Sequence, residues 1–283
     1  LDDAAVERYR RDGFLFPVRV ASADTAARWR HEIESVEDRW RDDATLPMPF
    51  TDFARANFHV VCAAAARLAH EPTILDAVES LIGPDIICWM TELIVKEPRS
   101  TKILTMHQDL TYWGLDGAEH LVTAWLALTD ATVANGAMRF VRGSHRSGQV
   151  AHRDTFGADN LLSRGQEIAV EYDRADEVPV ELDAGQMSLH HGLMYHGSGP
   201  NITDGRRVAL VFRYVSPEVS QRVGATDYGM VVRGVNRTSN LMTTPVPYTD
   251  FSTASIRLHH EITVAQSAPL GAGSAGDLSY RRG

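Results

Sequence analysis

The stretch Met187-Ser188-Leu189-His190-His191-Gly192-Leu193-Met194-Tyr195-His196-Gly197-Ser198-Gly199-Pro200-Asn201, followed after a short turn by Arg207-Val208-Ala209-Leu210-Val211-Phe212-Arg213-Tyr214-Val215, sets the fold class. Its first part is an apolar run from Met187 to Met194 that leads into His196. Its second part is a strand from Val208 to Val215 opened by Arg207. Pro200 to Gly205 supplies turn residues between them. The two runs predict a strand pair that brings His196 and Arg207 onto neighbouring strands. Working outward, Ile86–Lys96, Leu121–Leu128, Met138–Val141 and Ile168–Val170 have the same β-branched and apolar texture, and Asn135-Gly136 and Asp204-Gly205 mark turns. No helical pattern long enough to cross between parallel strands separates them. An antiparallel sandwich or barrel follows.

The first third reads differently. Asp2 or Asp3 can cap a short helix that has Val6 and Tyr9 on one face and stops at Gly13. Ser22 can cap a longer one, in which Trp29, Ile33, Val36 and Trp40 form a single apolar stripe. Further helical stretches are expected over Ala54–Ala69 and Thr73–Ile82, the last ending at Gly83-Pro84. Helices first and strands afterwards make an α+β arrangement. We expect one domain over 1–268, with a helical flank at 1–84, a strand-rich core at 85–265 and a lid near 150–170. The Gly-, Ser- and Ala-rich end, 269–283, reads as a loose tail.

Composition narrows the partners. The chain has 283 residues, 44% hydrophobic and 23% charged, which is enough to bury a core without disulfides. A formal net charge of -9 argues against nucleic acid or an anionic membrane surface as partner. No apolar run approaches the roughly 20 residues that span a bilayer. Cys62 and Cys88 form no CxxC pair and no basic-then-apolar leader is visible, so a cytoplasmic setting with reduced thiols is expected. Lys96 and Lys102 are the only lysines, a skew we read as genomic base composition.

The chemistry-bearing residues cluster around two histidines. In Met106-His107-Gln108-Asp109, a strand would point His107 and Asp109 to one face, where an imidazole and a carboxylate can share a metal. A second histidine would complete a facial triad that suits Fe(II) and leaves positions open. His152-Arg153-Asp154 is a second His-x-Asp triplet, and His190 and His191 compete with His196 for the remaining ligand position. Arg207 suits a carboxylate, which it can hold through two parallel N–H···O bonds, and Arg206 competes for that role.

These motifs together resemble the phytanoyl-CoA dioxygenase family of Fe(II)- and 2-oxoglutarate-dependent oxygenases. The resemblance runs from Arg11-Asp12-Gly13-Phe14 through His107-Gln108-Asp109, Asn135-Gly136-Ala137-Met138 and Gly143-Ser144-His145-Arg146 to His196-Gly197-Ser198-Gly199-Pro200-Asn201 and Arg207. His196 follows His107 by 89 residues, which meets the family's spacing of about 90, whereas His152 lies too close. The resemblance implies a double-stranded β-helix, a cupin-like jelly roll, with N-terminal helices packed on one sheet. It implies iron ligation by His107, Asp109 and His196. Arg207 and the Ser198 hydroxyl would hold the distal carboxylate of 2-oxoglutarate, and Trp125 would line that pocket. His190 and His191 would pack around the site.

The implied reaction consumes 2-oxoglutarate and O2, releases succinate and CO2, and hydroxylates an unactivated C–H bond. The same oxidant can also desaturate, epoxidise or close a ring. Related halogenases carry Gly or Ala where this chain has Asp109, so hydroxylation is the expected outcome. On the substrate side, Tyr112, Trp113 and Arg213 are candidates, with Glu92 and Arg139 as further strand residues able to face the interior and Arg153, Asn160, Arg164 and Gln166 in the lid. The stretch from Thr105 to Trp113 resembles members that act on small polar metabolites or biosynthetic intermediates. Two other classes remain open: a zinc-dependent hydrolase, and a non-catalytic jelly-roll binding protein.

Overall fold

Asp2 caps the first helix through its carboxylate, which accepts from Ala5 N–H at 2.7 Å, and Gly13 ends it with a φ of 83°. We describe a computed structural model covering residues 1–155, 157, 159–162, 165–224 and 226–271. Helix α1 (Asp3–Asp12) leads through β1 (Phe14–Arg19) to α2 (Ala23–Trp40), which Ser22 caps. There Trp29, Ile33 and Val36 are buried as the stripe predicts, and Trp40 stacks on Phe251 with centroids 5.0 Å apart.

The helical stretch expected over Ala54–Ala69 is three pieces: α3 (Phe50–Arg55), α4 (Phe58–Val61) and α5 (Ala63–Ala69). Asn57 takes a left-handed conformation and Cys62 an extended one, and each break interrupts the helical hydrogen bonds. Helix α6 (Pro72–Ile82) ends at Gly83, whose φ is 90°.

The strand-rich core follows: β2 (Ile86–Lys96), β3 (Leu104–His107), the short helix α7 (Leu110–Trp113), β4 (Leu121–Ala127), β5 (Met138–Val141), β6 (His152–Asp154) and β7 (Gln166–Ile168). It continues with β8 (Glu177–Val180), β9 (Gln186–His191), β10 (His196–Ser198), β11 (Arg207–Val215), β12 (Tyr228–Arg233), β13 (Met242–Thr243) and helix α8 (Thr253–Gly271). A large sheet runs β1-β9-β4-β11-β2-β12-β13, and a smaller one runs β3-β10-β5-β8.

Alternation on β11 shows how the layers meet. Val208, Leu210, Phe212 and Tyr214 pack with Trp29, Ile33, Phe53, Leu68 and Val78 of the helices. Ala209 and Val211 face the other way, against Trp125 and the small-sheet residues Met138 and Phe140. The fold is the jelly roll implied by the resemblance, with N-terminal helices covering the outer face of the large sheet. Burying each large side chain of that layer contributes roughly 1.5–3 kcal/mol relative to leaving it exposed.

Three further features bear on the expectations. His196 and Arg207 are not on neighbouring strands of one sheet, because Pro200–Gly205 crosses from β10 in the small sheet to β11 in the large one. Asn201 secures that crossing, its Nδ2 donating to the carbonyls of Lys96, Glu97 and Gly205. The 150–170 segment contains a β6–β7 hairpin, and Phe156, Ala158, Ser163 and Arg164 lie outside the described residues. Helix α8 reaches Gly271, inside the stretch expected to be loose, and 272–283 lie outside the described residues. Polar contacts anchor this helix: Asn57 donates to Gln266 Oε1, Gln266 to Asp227, and His259 Nε2 to the Ala56 carbonyl.

Candidate active site

His107 ends β3 and His196 opens β10, and the antiparallel register sets them directly opposite each other, with ring centroids 4.1 Å apart. Asp109 does not share a strand with His107. It sits in a right-handed helical conformation just before α7, so a strand-to-helix turn, not strand alternation, returns its carboxylate to the histidines. Its Oδ1 lies 3.5 Å from His107 Nε2 and 3.7 Å from His196 Nε2. One ligand atom from each of the three residues falls within 4.8 Å of the others, and all three residues are buried.

The two histidines are oriented alike. His107 Nδ1 donates to the Thr105 carbonyl at 2.7 Å, and His196 Nδ1 to the Met194 carbonyl at 3.0 Å. Each Nε2 lone pair is thereby left for a metal. Burial and the neighbouring His107 push His196 well below its ordinary pKa. Burial works against the Asp109 charge, but His196, His107, His190 and Arg213 outweigh it and hold the carboxyl well below its usual range. Gln108 between them points elsewhere, donating to Gly148 and Leu193 and accepting from Val150 N–H.

Six residues along β11 from the Asp109 end, Arg207 is 1% exposed. Its Nη1 donates to the Gly136 carbonyl, and its Nε and Nη2 have no hydrogen-bond partner among the described residues. The guanidinium lies over the Trp125 ring, 5.2 Å from its centroid. Opposite it in register is Lys96, also fully buried, whose Nζ donates to Ser198 Oγ at 2.7 Å and to the Gly199 carbonyl. Burial and Arg207 push Lys96 down to about 7, and burial pushes Arg207 down to about 10. Neither cation has an acidic partner among the described residues. The pocket is tight: a Cβ on Gly136, whose φ is 83°, would sit 2.6 Å from the Gly199 carbonyl oxygen and 3.0 Å from Lys96 Nζ.

The donor set fits a metal and a dicarboxylate. Two imidazoles and a carboxylate suit Fe(II), and two buried cations with unused N–H groups suit a carboxylate that brings the missing negative charge. Arg206 does not compete for it, since it turns outward to Glu34, Glu37 and Glu97.

Of the substrate-side candidates, Trp113 is buried on α7, packed on Trp89 at 5.2 Å, and Arg213 lies 5.0 Å over its ring. Arg213 pairs with Glu92 at 2.9 Å, so both face the interior. The side chain of Tyr112 lies outside the described residues. Arg139 is exposed and pairs with Glu177, because it alternates with the inward Met138 and Phe140. Arg153 pairs with Glu167 on the surface, and Asn160 donates to Thr105. His190 flanks the triad, its Nε2 3.7 Å from Asp109 Oδ2, while His191 packs on His145. His152 accepts from the Gln108 backbone. Sequence reasoning missed Lys96 and Thr123, whose hydroxyl lies 3.5 Å from Asp109 Oδ2. Lys96 carried one signal, being one of two lysines in a chain that otherwise uses arginine.

The family model described as phytanoyl-CoA dioxygenase (PhyH) matches residues 9–209. The chain belongs to the phytanoyl-CoA dioxygenase family. A probable phytanoyl-CoA dioxygenase of Caenorhabditis elegans is 31% identical over 161 residues, 54% of this chain and 51% of that protein. The peroxisomal phytanoyl-CoA dioxygenase of Homo sapiens is 32% identical over 152 residues, 52% of this chain and 44% of that one. The chain thus spans about half the length of these relatives. Among solved structures, the non-heme monooxygenase ThoJ in its apo form superposes with a TM-score of 0.84 at 38% identity, covering 94% of this chain and 97% of that one. A nickel complex of ThoJ gives 0.79 at 35% identity over 94% and 98%. No described helix is long and apolar enough to cross a membrane.

Proposed function

We propose that the chain is a non-haem Fe(II)- and 2-oxoglutarate-dependent dioxygenase that hydroxylates an unactivated C–H bond of a small polar metabolite or biosynthetic intermediate, releasing succinate and CO2. One observation carries this reading: Arg207 and Lys96, two buried basic residues without an acid among the described residues, stand in the same barrel as a His-Asp-His cluster. A zinc hydrolase would need a general base on a metal-bound water and has no use for such a cation pair. A binding module would need neither feature.

In this reading His107, Asp109 and His196 hold the iron. Arg207, Lys96 and the Ser198 hydroxyl hold the distal carboxylate of 2-oxoglutarate, and Trp125 supports the guanidinium. The bound iron supplies dioxygen activation coupled to decarboxylation of the cosubstrate. The backbone carbonyls of Thr105 and Met194 keep both imidazoles in the tautomer that presents Nε2. Asp109 occupies the position that a halide would need, which favours hydroxylation over halogenation.

The test is Fe(II)-dependent release of CO2 from carboxyl-labelled 2-oxoglutarate, with and without candidate metabolites. Turnover that disappears in Asp109→Ala and His196→Ala supports the assignment. Full activity in either variant, or activity restored by zinc, contradicts it.

A further inference from the structure

Arg213 is buried, 8% exposed, on the interior face of β11. It stands opposite Thr123 of β4, which in turn stands opposite His190 of β9. These three residues form one row across adjacent strands, and both Thr123 and His190 approach Asp109 Oδ2. Arg213 therefore lies at the metal's end of β11, and Arg207 lies six residues, about 20 Å of strand, away. The guanidinium is held on two sides: Nη2 donates to Glu92 Oε2 at 2.9 Å, and the Trp113 ring lies 5.0 Å from Cζ. Its Nε and Nη1 have no hydrogen-bond partner among the described residues. Buried donors left unpaired are costly, so a ligand acceptor is the natural complement.

Charge decides which acceptor. Arg207, joined by Lys96 when it is protonated, has no acid beside it among the described residues and calls for an anion. Arg213 already has Glu92, and the two sum to zero. The formal charges of Fe(II), Asp109 and one chelating carboxylate also cancel. At the metal's end of the barrel a substrate carboxylate at Arg213 would add a buried negative charge that no nearby cation balances, since Arg207 and Lys96 stand at the other end of β11, whereas an uncharged oxygen would not.

We propose that Arg213, braced by Glu92 and Trp113, recognises the substrate and takes an uncharged carbonyl oxygen, that of an amide or ester, near the carbon to be oxidised. Free carboxylates are disfavoured there. This rests on the Fe(II)/2-oxoglutarate reading.

The experiment uses the full chain loaded anaerobically with Fe(II) and 2-oxoglutarate. Matched N-acetylated amino acid methylamides and the corresponding free acids are titrated in by calorimetry, and the amide-to-acid affinity ratio is read. Wild type is expected to favour the amides by at least about tenfold, the scale of one misplaced charge. Glu92→Gln leaves Arg213 an unneutralised cation, so the ratio should shift toward the acids by at least about tenfold. Arg213→Leu should remove the preference. Equal or tighter binding of the acids by wild type, a ratio that Glu92→Gln leaves alone, or the absence of Arg213-dependent amide binding overturns the proposal. The visible absorption of iron-bound 2-oxoglutarate is recorded first in each protein. Its failure to form contradicts the proposed function itself, while its formation with the wrong ratio contradicts only this inference.

Discussion

Strand β11 has a buried arginine near each end, in opposite electrostatic surroundings. Arg207 faces Lys96 across the strand pair, and among the described residues no acid touches either. Arg213 faces Glu92 and forms a close ion pair. Both guanidiniums lie over a tryptophan, Trp125 at one end and Trp113 at the other, so packing alone does not distinguish them. The balance of charge does. A pair of like charges that folding has forced together is a site built for an anion, because unpaired charges are costly to bury. A neutral pair with spare N–H groups is a site for a dipole. In the proposed reading the same residue type on the same face would serve two chemistries, and the partner on β2 would decide which.

The comparison breaks most visibly at the cationic end. Arg207→Met should weaken 2-oxoglutarate binding by about 100-fold or more, the usual loss when a buried charge pair loses one member. Binding measured by anaerobic titration checks this, and an unchanged affinity would remove Arg207 from the site. Lys96→Met should cost about thirtyfold at pH 6.5.

Lys96 also gives the site a pH signature. Burial and Arg207 push it down to about 7, and a bound carboxylate raises it again. Below pH 7 the ammonium is already present when the cosubstrate arrives. Above pH 7 binding must take up a proton, so affinity falls by up to about tenfold per pH unit. Lys96→Met should flatten that slope, and a wild-type affinity constant from pH 6.5 to 9 would contradict the assignment.

The neutral end predicts smaller changes. Arg213→Leu leaves Glu92 without its partner. The Glu92 side chain is 26% exposed, so water softens the loss, and denaturant unfolding should report about 1–2 kcal/mol. The smallest effect belongs to Arg206→Ala. That side chain leaves the barrel for Glu34, Glu37 and Glu97, and its loss should cost about 1 kcal/mol of stability or less while the 2-oxoglutarate requirement stays as it was.

Much of this was legible in the residues, and the exceptions share a cause. The apolar runs of β2 and β11 announce themselves by composition, and Ser22 and Gly83 mark helix ends by chemistry. The spacing of His107 and His196 pointed to one site, which the register of β3 on β10 assembles. What failed depended on partners distant in sequence. Local pattern did not show the breaks at Asn57 and Cys62, nor helix α8, whose polar anchors Gln266 and His259 reach other elements.

His107 and Asp109 meet, but through a turn rather than a strand. Lys96 looks like an ordinary strand-end lysine until the register places it against Arg207. Arg139 could have been read correctly, since alternation with Met138 and Phe140 points it outward.

Anaerobic titration of the apoprotein with Fe(II) and then 2-oxoglutarate bears most directly on the assignment of iron and cosubstrate, read by the weak visible absorption of the iron-bound cosubstrate. One equivalent of 2-oxoglutarate should saturate that absorption in wild type and in Arg206→Ala, with a midpoint about 100-fold higher in Arg207→Met. Iron binding without the absorption, or a midpoint indifferent to Arg207, would contradict the account.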